Sequence, residues 1–307
     1  MMNAPVAYLA IAALLSFAST AFAKEPPGTL AVRDIDYAGT GNARQKLDLY
    51  LPAKPAEKPL PLIVYIHGGG WEGGNKAEPG ILWPLIQDHA FAGASIGYRL
   101  TNEGSWPVQI HDVKAALRWL AAHGKEHGID TTRIGLIGIS AGGHLVSLLG
   151  TSGGVVELDG EVGTKGTAPK IACVANFCGP ANFVTFGGKG SVIDVENPKT
   201  AIGKLLGGAM SQKMDVAKAA SPITYISADD PPFIHIHGTK DTLVPYAQVQ
   251  EFDAALEKAG VKSTVLTGEG GPHVFFSADL MAKLRTFFDR HLTGGTAEVP
   301  EGPVAVK

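Results

Sequence analysis

Short apolar runs alternate with amphipathic stretches along most of the chain. Residues 47–51 alternate apolar and polar positions, as in a half-buried strand. Later runs are almost continuously apolar, which is typical of strands covered on both faces of a parallel sheet. These further strand candidates are residues 62–66, 91–98, 133–139, 171–177, 232–237 and 261–266.

Helical patterns lie between these strands. Residues 108–122 place Val113, Ala116, Leu117 and Leu120 on one face. Further helices are predicted at residues 141–149, 245–259 and 278–292. Strands that alternate with helices predict an α/β fold, with a doubly wound, mostly parallel sheet and helices on both faces.

The amino-terminal 23 residues have a different pattern. An apolar stretch over residues 6–17 is followed by Ala21-Phe22-Ala23, which predicts a cleavable export signal. The stretch is shorter than a typical membrane-spanning helix. We therefore expect a secreted or periplasmic protein without stable membrane insertion after cleavage. No Lys or Arg precedes the apolar stretch, so a retained membrane anchor remains the alternative.

Composition narrows the remaining choices. The 307 residues are 45% hydrophobic and 18% charged, enough for the core of one large domain. The net charge is −3 without a Lys/Arg cluster, which argues against nucleic acid as a partner. Cys173 and Cys178 lie in one apolar run, about 16 Å apart if it is a strand. That separation exceeds the reach of a disulfide, so we expect two buried free thiols.

Ser140 is the strongest candidate for chemistry. It stands in Gly138-Ile139-Ser140-Ala141-Gly142, between a predicted strand and a predicted helix. A serine on such a strand-to-helix turn is held in a strained elbow and exposes its hydroxyl as a nucleophile. The helix N-terminus behind it offers free amides to a developing oxyanion. A plain glycine-rich turn is the alternative.

The sequence His67-Gly68-Gly69-Gly70-Trp71 directly follows the strand candidate 62–66. Consecutive glycines let backbone amides approach a ligand closely. In lipases and esterases an HGGG loop supplies oxyanion-hole amides. We assign that role to Gly69, Gly70 and Ala141, and a structural role to His67. Trp71 and Trp106 are candidates either for lining the substrate pocket or for packing beside it.

An acid and a base follow Ser140 in the order that this fold requires. Asp241 lies just beyond the carboxyl end of strand 232–237, where catalytic groups of parallel sheets gather. His273 lies in the loop between the last strand and the last helix, and it is the remaining candidate base. His235 and His237 are interpreted as core or rim residues rather than metal ligands, because no third ligand accompanies them. We expect no metal and no cofactor.

With these residues identified, the chain resembles bacterial esterases of the hormone-sensitive-lipase neighbourhood, and most closely the feruloyl/acetylxylan esterase-like (BD-FAE) group. The resemblance spans residues 47–292 and rests on ordered motifs. These are the segments 67–71, 96–100, 107–116, 139–145 and 237–241, followed by Val244-Pro245 and Gly271-Pro272-His273. It implies an α/β-hydrolase catalytic domain over residues 24–292, followed by a tail, 293–307, that we expect to be disordered.

The resemblance also implies the reaction. Relatives are serine carboxylesterases that act without a cofactor, often on acetyl or feruloyl esters of plant polysaccharides. Asn75 and Asn182 stand where relatives often carry Asp, which bears on substrate preference rather than on hydrolysis. Asp112, shared with relatives, is expected to be structural. Residues 182–220 are a candidate lid or substrate-facing insertion.

Two other functions remain open at this point. An amide-hydrolysing enzyme, such as a peptidase or formamidase, would use the same fold and the same residues. A non-catalytic binding protein is the alternative from another class, because a fold alone does not establish a reaction.

Overall fold

The computed structural model describes residues 24–187, 190–300 and 302–306. They form one eight-stranded sheet in the order β1-β2-β4-β3-β5-β6-β7-β8. The strands are β1 (Thr29–Asp36), β2 (Lys46–Pro52), β3 (Leu60–Ile66), β4 (Ala92–Ile96), β5 (Ile129–Ile139), β6 (Cys173–Phe177), β7 (Phe233–Gly238) and β8 (Ser263–Gly268). Strand β2 pairs antiparallel with β1 and β4, and the other strands are parallel. The predicted export signal lies outside the described residues.

Helices cover both faces of this sheet. In the described part of the chain they are α1 (Trp83–Ile86), α2 (Val108–His123), α3 (Ala141–Thr151), α4 (Ala201–Leu206), α5 (Met214–Ala219), α6 (Ala247–Lys258) and α7 (Ala278–Phe288). Alternate residues of β3 face opposite cores: Val64 packs in the core with α2 and α3, and Tyr65 in the core with α1 and α7. The predicted doubly wound α/β fold is confirmed.

Strand β1 did not stand out in the sequence. It is an edge strand with no fully buried residue, and it carries Arg33 and Asp34 in its middle. An edge strand of this kind shows little hydrophobic periodicity because neither face is deeply buried. Charges on it also discourage pairing with other chains.

The carboxyl-terminal tail lies close to the sheet where the structure describes it. Its described residues run beside the edge strand β8, where Val304 donates its amide hydrogen bond to the Thr267 carbonyl at 2.9 Å. The Val304 side chain is buried, and Glu298 forms an ion pair with Arg290 at 2.8 Å. An uncovered edge strand offers unpaired backbone groups, and the tail satisfies some of them. The last α-helix ends at Phe288, and a π-helical turn over Asp289–Thr293 follows it.

The segment 182–220 is built into the domain. It contains α4 and α5, and its side chains Phe183, Phe186 and Ile202 belong to the larger core. Both Cys173 and Cys178 are buried and free, as predicted. Among the described residues, no helix combines the length and apolar character that crossing a membrane requires.

Candidate active site

Ser140 occupies a sharp turn between β5 and α3. Its φ of +56° and ψ of −117° are values that a non-glycine residue rarely adopts. The turn is held by a 2.7 Å hydrogen bond from the Ser140 amide to the Phe177 carbonyl. Gly142 permits the close packing behind it, since a Cβ there would lie 2.0 Å from the Ile66 carbonyl oxygen. The geometry is that of a strained nucleophile elbow.

The glycine loop that follows β3 runs directly past this serine. A Cβ on Gly68 would lie 2.7 Å from the Ile139 carbonyl oxygen and 3.4 Å from the Ser140 Cβ. Gly69 has a φ of +110°, which side-chain-bearing residues seldom adopt. Gly69 and Gly70 line the same cavity as Ser140. Ala141 is the first residue of α3, so its amide has no acceptor within the helix.

His67 supports this loop from within the protein. Its ring stacks on Tyr98 with centroids 4.4 Å apart, and the Tyr98 hydroxyl donates to the His67 carbonyl at 3.0 Å. Burial lowers the pKa of His67 to about 4, so the ring is neutral at neutral pH. Nδ1 lies 2.8 Å from the Gly68 carbonyl oxygen and donates to it.

Three of the predicted residues meet at the carboxyl ends of the strands. His273 Nε2 lies 2.9 Å from Ser140 Oγ, and His273 Nδ1 lies 2.7 Å from Asp241 Oδ2. Asp241 follows β7 and His273 follows β8. Ser140 is partly exposed to the cavity, whereas Asp241 and His273 are buried. The hydroxyl, imidazole and carboxylate therefore form one continuous hydrogen-bonded chain.

Hydrogen bonds stabilise both oxygens of the Asp241 carboxylate. Burial raises its pKa, but hydrogen bonds from His237 and His273 outweigh burial and hold it well below its usual value. Its Oδ1 also accepts the amides of Leu243 at 2.9 Å and Val244 at 3.0 Å. Sequence reasoning missed the contact of His237, whose Nε2 lies 3.1 Å from Asp241 Oδ2. Its place in an apolar strand indicated only a core or rim residue.

A small apolar cavity of about 70 Å³ opens at Ser140 and His273. Trp71 lines it, but Trp106 does not. Trp106 packs instead near the buried His144, with ring centroids 6.1 Å apart. The other apolar side chains in the wall are Pro180, Phe186, Ile193, Ala201, Ile202, Leu243, Val244 and Val274. Several of them come from the segment 182–220, so that segment does face the candidate site.

Two further residues that the sequence could not place are now located. Asp112 accepts hydrogen bonds from the Arg99 side chain and backbone at 2.7–2.9 Å, and from Gln45 Nε2 at 2.7 Å. The buried Asp112 and the half-buried Arg99 tie α2 to the chain after β4. Cys178 lies behind His273, with its Sγ 3.8 Å from Nε2. Burial raises the pKa of the Cys178 thiol well above its usual value.

Comparisons with known proteins show the family to which this chain is similar. Residues 47–256 match the family model BD-FAE. The chain is 32% identical over 244 residues to the probable carboxylic ester hydrolase LipM of Mycobacterium tuberculosis (strain ATCC 25618 / H37Rv), covering 76% of this chain and 53% of LipM. Esterase LipQ of the same organism is 30% identical over 260 residues, covering 82% and 58%. The chain thus spans about half the length of the curated relatives it matches.

Solved structures give the same grouping. A truncated form of a carbohydrate esterase from gut microbiota has a TM-score of 0.80 at 29% identity, covering 88% of this chain and 100% of that one. The fold and the serine on the turn between β5 and α3 define a protein of the α/β-hydrolase class. Within that class, the match over residues 47–256 shows that the chain belongs to the BD-FAE family. The family predicted from the motifs is confirmed.

Proposed function

We propose that this protein is a serine carboxylesterase whose catalytic residues are Ser140, His273 and Asp241. The observation that carries the proposal is the hydrogen-bonded chain from Ser140 Oγ through His273 to Asp241 Oδ2, with distances of 2.9 and 2.7 Å. A positioned imidazole that accepts the serine proton is what makes this hydroxyl a nucleophile.

The reaction follows from that arrangement. Ser140 Oγ attacks the ester carbonyl while its proton moves to His273 Nε2. Asp241 stabilises the resulting imidazolium through Nδ1 and does not itself take the proton. Amides of Gly69, Gly70 and Ala141 bind the tetrahedral oxyanion, each donor contributing about 3 kcal/mol. His273 then protonates the leaving alcohol, and a water activated by the same imidazole releases the acid from the acyl-enzyme.

We further propose acylated oligosaccharides or polysaccharides as substrates, with acetyl or feruloyl as the acyl group. The apolar wall formed by Phe186, Ile193 and Ile202 suits an acyl chain rather than a sugar. The carbohydrate-esterase description of the similar gut-microbiota structure supports a sugar on the alcohol side.

A substrate panel tests the activity. We expect hydrolysis of p-nitrophenyl acetate and acetylated xylan by the wild type, and none above background by Ser140→Ala. Stoichiometric labelling of the wild type by an organophosphate, lost in the same variant, separates an enzyme from a binding protein. Matched ester and amide substrates of one acid separate an esterase from an amidase. Absence of both turnover and labelling in the wild type overturns the proposal.

Export is a separate proposal that rests on the apolar segment before residue 24. The expected result is a mature protein in the periplasm or medium that begins near Lys24. Amino-terminal sequencing of the protein from each cell fraction measures this. A full-length protein retained in the membrane fraction would instead support an uncleaved anchor.

A further inference from the structure

The buried thiol of Cys178 takes no part in the mechanism above, yet it lies against the catalytic imidazole. Its Sγ is 3.8 Å from His273 Nε2, and Ser140 Oγ is 2.9 Å from the same nitrogen. We propose that Cys178 Sγ and His273 Nε2 form an inhibitory site for a thiophilic divalent cation such as Zn²⁺ or Cd²⁺. The site would be occupied only when such an ion is present, and it has no role in turnover.

The separation of sulfur and nitrogen fits such an ion. Zinc binds sulfur at about 2.3 Å and imidazole nitrogen at about 2.0–2.1 Å in tetrahedral geometry. Two such bonds at a tetrahedral angle place the sulfur and nitrogen about 3.6 Å apart. The observed 3.8 Å between Cys178 and His273 therefore needs only a small adjustment. The ion takes the place of the Ser140 hydroxyl, which lies 2.9 Å from Nε2, and solvent from the cavity that His273 lines completes the set.

Asp241 strengthens the case because it already holds His273 as metal-binding imidazoles are held. Histidine ligands usually donate their second ring N–H to a carboxylate, which fixes the tautomer and makes the free nitrogen more basic. The 2.7 Å bond from His273 Nδ1 to Asp241 Oδ2 is this arrangement. With the proton on Nδ1, the lone pair on Nε2 is available to bind a cation. Asp241 would act as the supporting carboxylate and not as a direct ligand.

The chemistry explains why binding inhibits. The ion forms a bond to Cys178 Sγ, and the thiol proton is released to solvent. A second bond to His273 Nε2 occupies the lone pair that must accept the proton of Ser140. No oxidation occurs, so a chelator that removes the ion restores activity. A hard ion such as Mg²⁺, which prefers oxygen ligands, should not bind here.

The other cysteine provides a matched control. Cys173 is also buried and begins strand β6, which Cys178 follows, but its side chain packs beside Phe288 and Gly135. We would titrate the purified wild type, Cys178→Ala and Cys173→Ala with CdCl₂. The ultraviolet thiolate-to-cadmium absorption band reports binding, and hydrolysis of p-nitrophenyl acetate reports inhibition relative to each protein's own rate without metal.

The expected result is one cadmium ion per wild-type chain, with loss of hydrolysis that EDTA reverses. Cys173→Ala should behave like the wild type, and Cys178→Ala should need at least about tenfold more cadmium. Asp241→Asn should need about 10–100-fold more cadmium than the wild type to develop the absorption band. This variant provides a second test of the site if Cys178→Ala misfolds. No band in the wild type, or equal titrations of the wild type and Cys178→Ala, overturns the site. The absorption band measures cadmium binding whether or not the esterase proposal holds.

Discussion

Replacing Asp241 by Asn tests the proposed catalytic chain with the smallest possible change. Oδ1 of Asp241 accepts backbone amides of Leu243 and Val244, and Oδ2 faces two imidazoles. An Asn side chain has one acceptor and one donor end. The two backbone amides require the acceptor, so the Asn NH₂ group must face His273 and His237.

The expected loss of activity follows from this orientation of the Asn side chain. An NH₂ group opposite His273 Nδ1 forces the ring to carry its proton on Nε2, where it can no longer accept the proton of Ser140. The wrong tautomer costs about 10⁴ in kcat in serine proteases with this triad, or about 5.4 kcal/mol in the barrier. We expect kcat of Asp241→Asn to fall by about 10³–10⁴, with KM changed by no more than a few-fold.

Steady-state hydrolysis of p-nitrophenyl acetate measures this effect. The matched control is Asp253→Asn on α6, where the carboxylate accepts a hydrogen bond from Ser263 at the start of β8. Its kcat should stay within about twofold of wild type. If Asp241→Asn retains kcat within about tenfold of wild type, Asp241 does not orient the catalytic imidazole and the reasoning is wrong.

Three further predictions follow from individual contacts. Gly68→Ala places a Cβ 2.7 Å from the Ile139 carbonyl oxygen, so the loop must shift and kcat should fall about 10²-fold. The kcat of Gly73→Ala should stay near the wild-type value, because its Cβ would lie 3.8 Å from the Gly69 carbonyl oxygen. Equal kcat values for the two variants would contradict this. Burial lowers the pKa of His144 to about 4. The unfolded chain, with a histidine pKa of about 6.5, therefore binds a proton that the native state does not, and stability falls as pH drops from about 6.5 to 4. His144→Gln should make that fall shallower by up to about 1.4 kcal/mol per pH unit in urea unfolding at pH 7 and 5, and parallel curves would refute the assignment. Val304→Asp places a charge at a buried position of the tail, which should lower the unfolding free energy by about 1–3 kcal/mol and expose the tail to proteases. Val156→Asp, at an exposed position, should do neither. An unchanged Tm and digestion pattern for Val304→Asp would show that the tail adds no stability.

The core of the fold and the assembly of the candidate site were accessible from sequence for a common reason. Continuous apolar runs mark the parallel strands, and the carboxyl ends of parallel strands meet at one edge. Ser140, Asp241 and His273 each follow such a run. Their meeting therefore required only the chain order of the strands and no knowledge of the loops.

The remaining contacts depend on distances that no local pattern contains. One partner of Asp112 is Gln45, 67 residues away in the chain. The contact between Cys178 and His273 depends on how the chain turns after β6, where Cys178 has a φ of +47°. The tail contains glycines, prolines and charges, and no local pattern in it indicates that Val304 is buried beside the edge strand β8.

Helix α3 begins at the residue after Ser140, and all eleven of its residues are buried. Segments that open independently of the rest of a protein are those with few buried contacts. This helix has no such freedom, so it separates from the sheet only when the whole domain opens. Heating should therefore divide the population into fully competent and fully inactive molecules. Residual activity after a heat pulse would count surviving folded molecules, each working at its original rate.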